Sequence, residues 1–227
     1  MELARTYSWT GSPRDNRLDY LRHLGSVMRG RTVITLNYDE ALETAVGAAG
    51  YTFQVDCGPY PFENLNDAGA AAALRLVKLH GSVTWRRSAN DGEVVEMDPI
   101  EHGQFVNREM RHAGRDTPEV IFGDGNKLRA DGPFLDLYAE SLTALDQARK
   151  LVVIGYSFRD AHVNEAIRRW YNAQDSGAVL RIARRTKELP DVLQGWHLNP
   201  DSLHIQVYDG QGSEAMESIL KWPGLLS

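Results

Sequence analysis

The chain has one cysteine, Cys57, among 227 residues. A lone thiol cannot close an internal disulfide or supply the paired ligands of a CxxC zinc ribbon; it fits a reducing compartment, so the cytoplasm is the expected location. Long apolar runs are missing as well. No segment approaches the roughly 18 consecutive apolar residues of a membrane span, and the opening MELARTYSWTG lacks the basic-then-apolar order of a secretory leader. Positive charge is in deficit, with 25 Lys and Arg against 31 Asp and Glu and a net charge of −6. That removes the basic field through which proteins hold nucleic acid non-specifically, so neither a membrane nor a direct nucleic-acid partner is expected. His102, His112, His162, His197 and His204 show no paired ligand spacing and HExxH does not occur, so no metal is expected. Internal repeats and low-complexity tracts are also lacking.

What is there is ordinary for one packed globular domain, 42% hydrophobic and 25% charged. Strand-like runs occur at residues 31–37 (RTVITLN), 74–83 (LRLVKLHGSV), 119–123 (EVIFG), 150–157 (KLVVIGYS), 178–184 (AVLRIAR) and 203–208 (LHIQVY). Helical periodicity lies between several of them: RLDYLRHLGSVMRG, DEALETAVGAA, PFLDLYAESLTALDQAR, AHVNEAIRRWYNA and GSEAMESIL. Strands alternating with helices predict an α/β fold with a parallel sheet and helices on both faces. In the best-formed unit, Leu135, Tyr138, Leu142 and Leu145 recur at helical spacing ahead of a continuous apolar strand, the pattern of a Rossmann-like half whose strand is buried on both faces. Two irregular stretches, 57–72 and 88–118, read as insertions over the carboxyl ends of the strands, with room for a short hairpin or helix of their own.

Ligands of open α/β sheets bind beyond those carboxyl ends, which directs attention to TLNYD, KLHGSVTW and IGYSFRDAHVN. Each has a plain structural reading. Asn37 and Glu40 have the spacing of a capping box, with Asp39 suited to the first turn of the helix. His80 reads as a partly buried histidine bonded to a neighbouring loop, although Gly81 and Ser82 follow it where a backbone can approach a ligand. Gly155 and Ser157 read as a tight turn, or as a place where a phosphate or ribose meets a helix N-terminus. Asp160 reads as an N-cap, with Asn164 one turn on along the same face. Lys127 of GDGNK is a surface charge or a cleft residue, and RIARRTK (181–187) a solvated strand exit.

In their order, TLNYD, LHGS, FGDGNK and VVIGYSFRD resemble the SIR2 family, and within it the zinc-less SIR2-like branch found in bacterial defence and NAD-depleting proteins. Sirtuins carry, in the same order, Thr-Gln-Asn-x-Asp, Leu-His-Gly, Phe-Gly-Glu and Gly-Thr-Ser segments. The resemblance runs from about Thr32 to the last helix. It implies an NAD-binding domain over residues 1–227 in which His80 and Asn37 are catalytic. His80 would contact the ribose hydroxyls and act as general base, and Asn37 would place water or the ribose beside the scissile N-glycosidic bond. Asp39 would lie near the nicotinamide carboxamide, and Gly155 and Ser157 on the phosphate and adenosine side. Thr35, Gly81, Asp160 and Asn164 fall in the same segments and join the implied cofactor-binding set. Regulatory partners or self-assembly are implied by the branch alone.

Departures from the pattern refine the expectation. Leu36 stands where sirtuins have glutamine, and with one cysteine the four-cysteine zinc module is absent. Without that module, hydrolysis of NAD to nicotinamide and ADP-ribose is expected ahead of protein deacylation, with a non-catalytic NAD- or ADP-ribose-binding module as the rival. The family's early Gly-Ala-Gly segment is not found among the 36 residues before Asn37. Either an amino-terminal truncation or a member without a phosphate loop is expected, with unpaired strand edges as the consequence.

Overall fold

The computed structural model describes residues 19–22, 24, 28, 30–49, 53–54, 74–88, 90–96, 119–121, 132–174, 178–184, 191–196 and 205–209. The chain divides into two compact units, Met1–Ala139 and Glu140–Ser227.

In the first unit, α1 (Asp19–Arg22) precedes β1 (Thr32–Thr35), whose sequence TVIT is wholly β-branched and so favours an extended backbone. Next come α2 (Ala41–Ala48), β2 (Phe53–Gln54) and β3 (Leu74–Lys78). The three strands form a parallel sheet in the order β1-β3-β2, with Thr32 to Thr35 aligned on Arg75 to Lys78. The central strand β3 is buried at every position, including Arg75 and Lys78. It is shorter than the apolar run 74–83 suggests: Leu79 and His80 turn, and Gly81 at φ +83° redirects the chain into an antiparallel bridge with Val120. That bridge is the described part of the strand expected at 119–123.

Of the short hairpin or helix expected within the 88–118 insertion, the structure has a hairpin, β4 (Trp85–Arg87) with β5 (Val94–Glu96), whose first strand starts ahead of that stretch. It takes the first part of the stretch read as an insertion at 88–118 and anchors it through the enclosed Trp85 and Val94. The 57–72 stretch, GDGNK and the helical pattern at 212–220 lie outside the described residues.

The second unit takes up most of α3 (Phe134–Gln147) and continues through β6 (Lys150–Ile154), α4 (Ala161–Ala173), β7 (Val179–Arg184), α5 (Asp191–Gln194) and β8 (Ile205–Asp209). Its strands are again parallel, in the order β6-β7-β8. Leu145, Val153, Phe158, Ile167, Trp170, Leu180, Ile182 and Leu193 form a continuous core, in which Trp170 keeps its indole N–H satisfied by donating to the Ala148 carbonyl at 2.8 Å. The expectation that β6 is buried on both faces fails: only Val153 is buried along it. Among the described residues β6 pairs on one side only, with β7, which is the central strand. No helix among the described residues is long and apolar enough to cross a membrane.

Candidate functional site

Asn37 and His80 occupy equivalent places on neighbouring strands. The register pairs Thr35 with Lys78, the last residues of β1 and β3, and each candidate lies two residues further on. Beyond the strands the two segments stay joined. The Leu79 amide donates to the Thr35 carbonyl at 3.1 Å, and the Val83 amide donates to the Tyr38 carbonyl at 2.9 Å. Asn37 sits between these two ties with an exposed side chain, and its own amide donates to Thr35 Oγ1 at 3.1 Å. The β1-α2 turn therefore projects its asparagine from a fixed base.

The capping box expected between Asn37 and Glu40 does not form, because α2 begins at Ala41. The cap position is Glu40, whose side chain makes no capping bond, and Asp39, one residue ahead of it, accepts from the Ala41 amide through Oδ1 at 3.0 Å. A carboxylate within the turn satisfies an amide of the starting helix and sits at the positive end of the helix dipole. Burial, then the negative charge of Glu43 and Asp39, holds the Glu40 carboxyl above the ordinary range, against the opposing pull of Lys78. The Tyr20 hydroxyl is raised by burial and by Asp39.

Lys78 is the residue that the sequence reading passed over. Its side chain is wholly out of solvent, and its ammonium donates to the Asp39 carbonyl at 2.7 Å and to Glu43 Oε1 at 2.5 Å. A lysine closing a strand rich in leucine and valine, directly ahead of LHGS, was a visible signal of a special position.

His80 is 7% exposed, and its carbonyl accepts from the Ile121 amide at 2.9 Å. Beside it, the Ser82 amide donates to the Glu119 carbonyl at 3.3 Å and the Glu119 amide to the Trp85 carbonyl at 2.9 Å. Arg87 grips the Glu119 carboxylate with Nε at 3.0 Å and Nη2 at 3.4 Å, the two-pronged geometry that a guanidinium favours. Behind Gly81, Ser82 and Thr84 share a buried hydroxyl pair at 2.9 Å, and Thr84 reaches Glu96 Oε1 at 3.4 Å. Burial raises the Glu96 carboxyl above its usual range, against the Thr84 hydrogen bond and the Lys78 charge.

Gly155, Ser157, Asp160 and Asn164 lie in the second unit, in the turn from β6 to α4. The Gly155 amide donates to the Ala183 carbonyl at 3.0 Å; the residue has φ +65° and open space where a side chain would stand. Ser157 is exposed. Asp160 caps α4, its Oδ1 accepting from the His162 and Val163 amides at 3.1 and 3.2 Å. The helix N-terminus is thereby occupied by the chain's own carboxylate, and the solvent-facing members of the set are Gly155 and Ser157. Asn164, buried, donates from Nδ2 to the Phe158 carbonyl at 2.9 Å while its Oδ1 faces the Tyr156 hydroxyl. These bonds hold Phe158 at φ +59°, a conformation costing an ordinary side chain about 1–2 kcal/mol. Phe158 packs its buried ring on Tyr156 with centroids 4.6 Å apart. Burial, then the Asp160 amide bond and charge, governs the Tyr156 hydroxyl, which is raised well above the ordinary tyrosine range. Tyr156 and Phe158 were also passed over; local spacing gives no sign that a tyrosine will brace the turn that follows it. Among the described residues no group of three or more His, Cys, Asp or Glu side chains is placed to hold a metal ion.

The family model of the SIR2-like domain matches residues 31–200. The chain belongs to the SIR2-like family. The match takes in both junctions, from β1 through the turn after β6. Among solved structures, a sirtuin from a study of the structural basis of sirtuin substrate affinity superposes with a TM-score of 0.50 at 14% identity, covering 90% of this chain and 67% of that one. A Sir2 complex with an inhibitor, 2′-O-acetyl-ADP-ribose and a deacetylated peptide gives 0.49 at 15% identity, over 90% of this chain and 70% of that one. At such identities the likeness speaks for the fold, and the α/β Rossmann-like fold expected from the alternating pattern is the fold of this SIR2-like chain. No curated protein matches the sequence.

Proposed function

We propose that this SIR2-like domain hydrolyses NAD at the bond between nicotinamide and ribose, releasing nicotinamide and ADP-ribose. The observation that carries the reading is the placement of Asn37 and His80 two residues beyond paired ends of adjacent parallel strands, on turns stitched to each other by backbone hydrogen bonds.

In this reaction the C1′–N bond breaks with its electron pair passing to the pyridinium nitrogen, so the leaving group departs neutral and needs little acid assistance. A water oxygen forms the new bond to C1′ and gives up one proton, leaving nicotinamide, ADP-ribose and H⁺. The transition state has oxocarbenium character, which a neutral amide and an imidazole beside the ribose suit. Asn37 is assigned to the water or ribose, His80 to the ribose hydroxyls as general base, and Asp39 to the carboxamide. Thr35 and Gly81 support these turns. Gly155 and Ser157 are assigned to the phosphate and adenosine side, a role supported by the open space at Gly155. Asp160 and Asn164 are assigned to shaping that turn. The antiphage setting of the zinc-less branch belongs to the same proposal and rests on family membership alone.

The deciding experiment measures nicotinamide released from NAD by the purified chain beside His80→Ala and Asn37→Ala. Release by the wild type that disappears in both variants supports hydrolysis. NAD bound without release, shown by a thermal shift that grows with ligand concentration, supports a binding module instead.

A further inference from the structure

We propose that Lys78 is a positioning residue, one that sets the Asn37–Asp39 turn against His80 by holding the Asp39 peptide. The inference rests on the reading of Asn37 and Asp39 as groups meeting the nicotinamide riboside end of NAD.

A lysine ammonium wholly removed from water carries a desolvation cost of several kcal/mol, so its retention calls for a reason. Charge balance needs one carboxylate, and Glu43 provides it at 2.5 Å. The second partner, the Asp39 carbonyl at 2.7 Å, is not needed for neutrality. What that bond does is geometric. The turn carrying Asn37 is tied at Thr35 through the Leu79 amide and at Tyr38 through the Val83 amide. Those two ties hold the peptides that follow Thr35 and Tyr38; the peptide that follows Asp39 is the one Lys78 holds, beside the Asp39 carboxylate that accepts from the Ala41 amide. Lys78 supplies the third tie and, through Glu43, fastens α2 to the same point. Because Lys78 ends β3 and His80 follows two residues later, one strand end fixes both sides of the assigned ribose pocket.

The test separates this role from simple neutralisation of Glu43. Lys78→Met alone leaves Glu43 without its cation and is expected to lose stability. The double variant Lys78→Met with Glu43→Leu replaces the pair by apolar groups of similar size, a change often neutral or better for folding. If Lys78 positions the turn, the double variant melts like the wild type. Its kcat for nicotinamide release still falls, by about 100-fold, the scale of an ångström-sized misplacement. KM for NAD rises far less than kcat falls, because Lys78 acts through the turn and leaves the rest of the NAD contacts in place. Recovery of kcat together with stability overturns the proposal. A wild type that releases no nicotinamide ends the hydrolase reading, and calorimetry then decides the role of Lys78. NAD bound more weakly by the double variant, with ADP-ribose unchanged, keeps the proposal. Equal affinities, or a wild type that binds neither ligand, overturn it.

Discussion

The Tyr156 hydroxyl lies 2.9 Å from Asn164 Oδ1 and 3.0 Å from the Asp160 carbonyl, and accepts from the Asp160 amide at 3.2 Å. One phenolic proton thus serves two acceptors eight and four residues downstream, and the turn after β6 closes around it. Tyr156→Phe keeps the ring but strands the buried Asn164 carbonyl oxygen. The expected loss of about 1–3 kcal/mol is to be read from denaturant midpoints at constant slope.

Two glycines at positive φ should respond differently to alanine. At Gly81 a Cβ would fall on the Glu119 carbonyl and 3.1 Å from Val120 Cα, all of it backbone with no flexible end to yield. Gly155→Ala meets nothing within 4 Å and should cost only the left-handed strain of about 1–2 kcal/mol. Thermal melts should therefore rank Gly81→Ala well below Gly155→Ala, and only the latter should leave enough folded protein to report a change in NAD affinity.

Glu40 makes stability depend on pH in a direction that can be stated. Its carboxyl is raised in the folded chain, so folding favours the protonated form. The contribution is complete below the ordinary glutamate pKa of about 4.3 and is lost as pH rises through the raised folded value. Glu40→Gln should accordingly raise the melting temperature at pH 7 relative to the wild type, and the difference should vanish near pH 4. A variant no more stable at pH 7 than the wild type would show that other bonds of Glu40 outweigh its burial.

Trp170 is 1% exposed at the centre of the second unit's core. Trp170→Ala should remove about 3–5 kcal/mol through the cavity it leaves. Trp170→Phe should lose less of the packing but leave the Ala148 carbonyl without its indole donor. Chemical denaturation of both variants checks the order.

Elements governed by local rules were legible in the sequence. AHVNEAIRRWYNA forms a helix over Ala161–Ala173 with Asp160 as its N-cap, because amphipathic spacing and capping both act within one or two turns. Family membership was legible too, through the order of short motifs in the turns after β1, β3 and β6, all of which the SIR2-like match covers. The insertion at 88–118 was read as holding a short hairpin or helix, but the bounds at Trp85–Arg87 and Val94–Glu96 were not legible, since three-residue strands are too short to show alternation. Nor was the start of α2: Asn37, Asp39 and Glu40 all have capping chemistry, and only the place where the backbone enters the helix puts Glu40 at the cap and turns the Asp39 carboxylate to the Ala41 amide. Lys78 was the largest omission. Its partners lie 39 and 35 residues earlier, and hydropathy assigns a lysine to the surface unless a distant carboxylate is known to meet it.

The return of the chain at Glu119 has a consequence for how the His80 turn can open. Three backbone bonds and the Arg87 clasp fasten residues 119–121 to the turn that carries His80 and to the hairpin beside it. At a net worth of about 1 kcal/mol for each bond, opening the His80 turn is a joint event, and the Ser82, Glu119 and Ile121 amides should exchange with solvent together rather than one by one. The turn is thus a latch whose other half is Glu119.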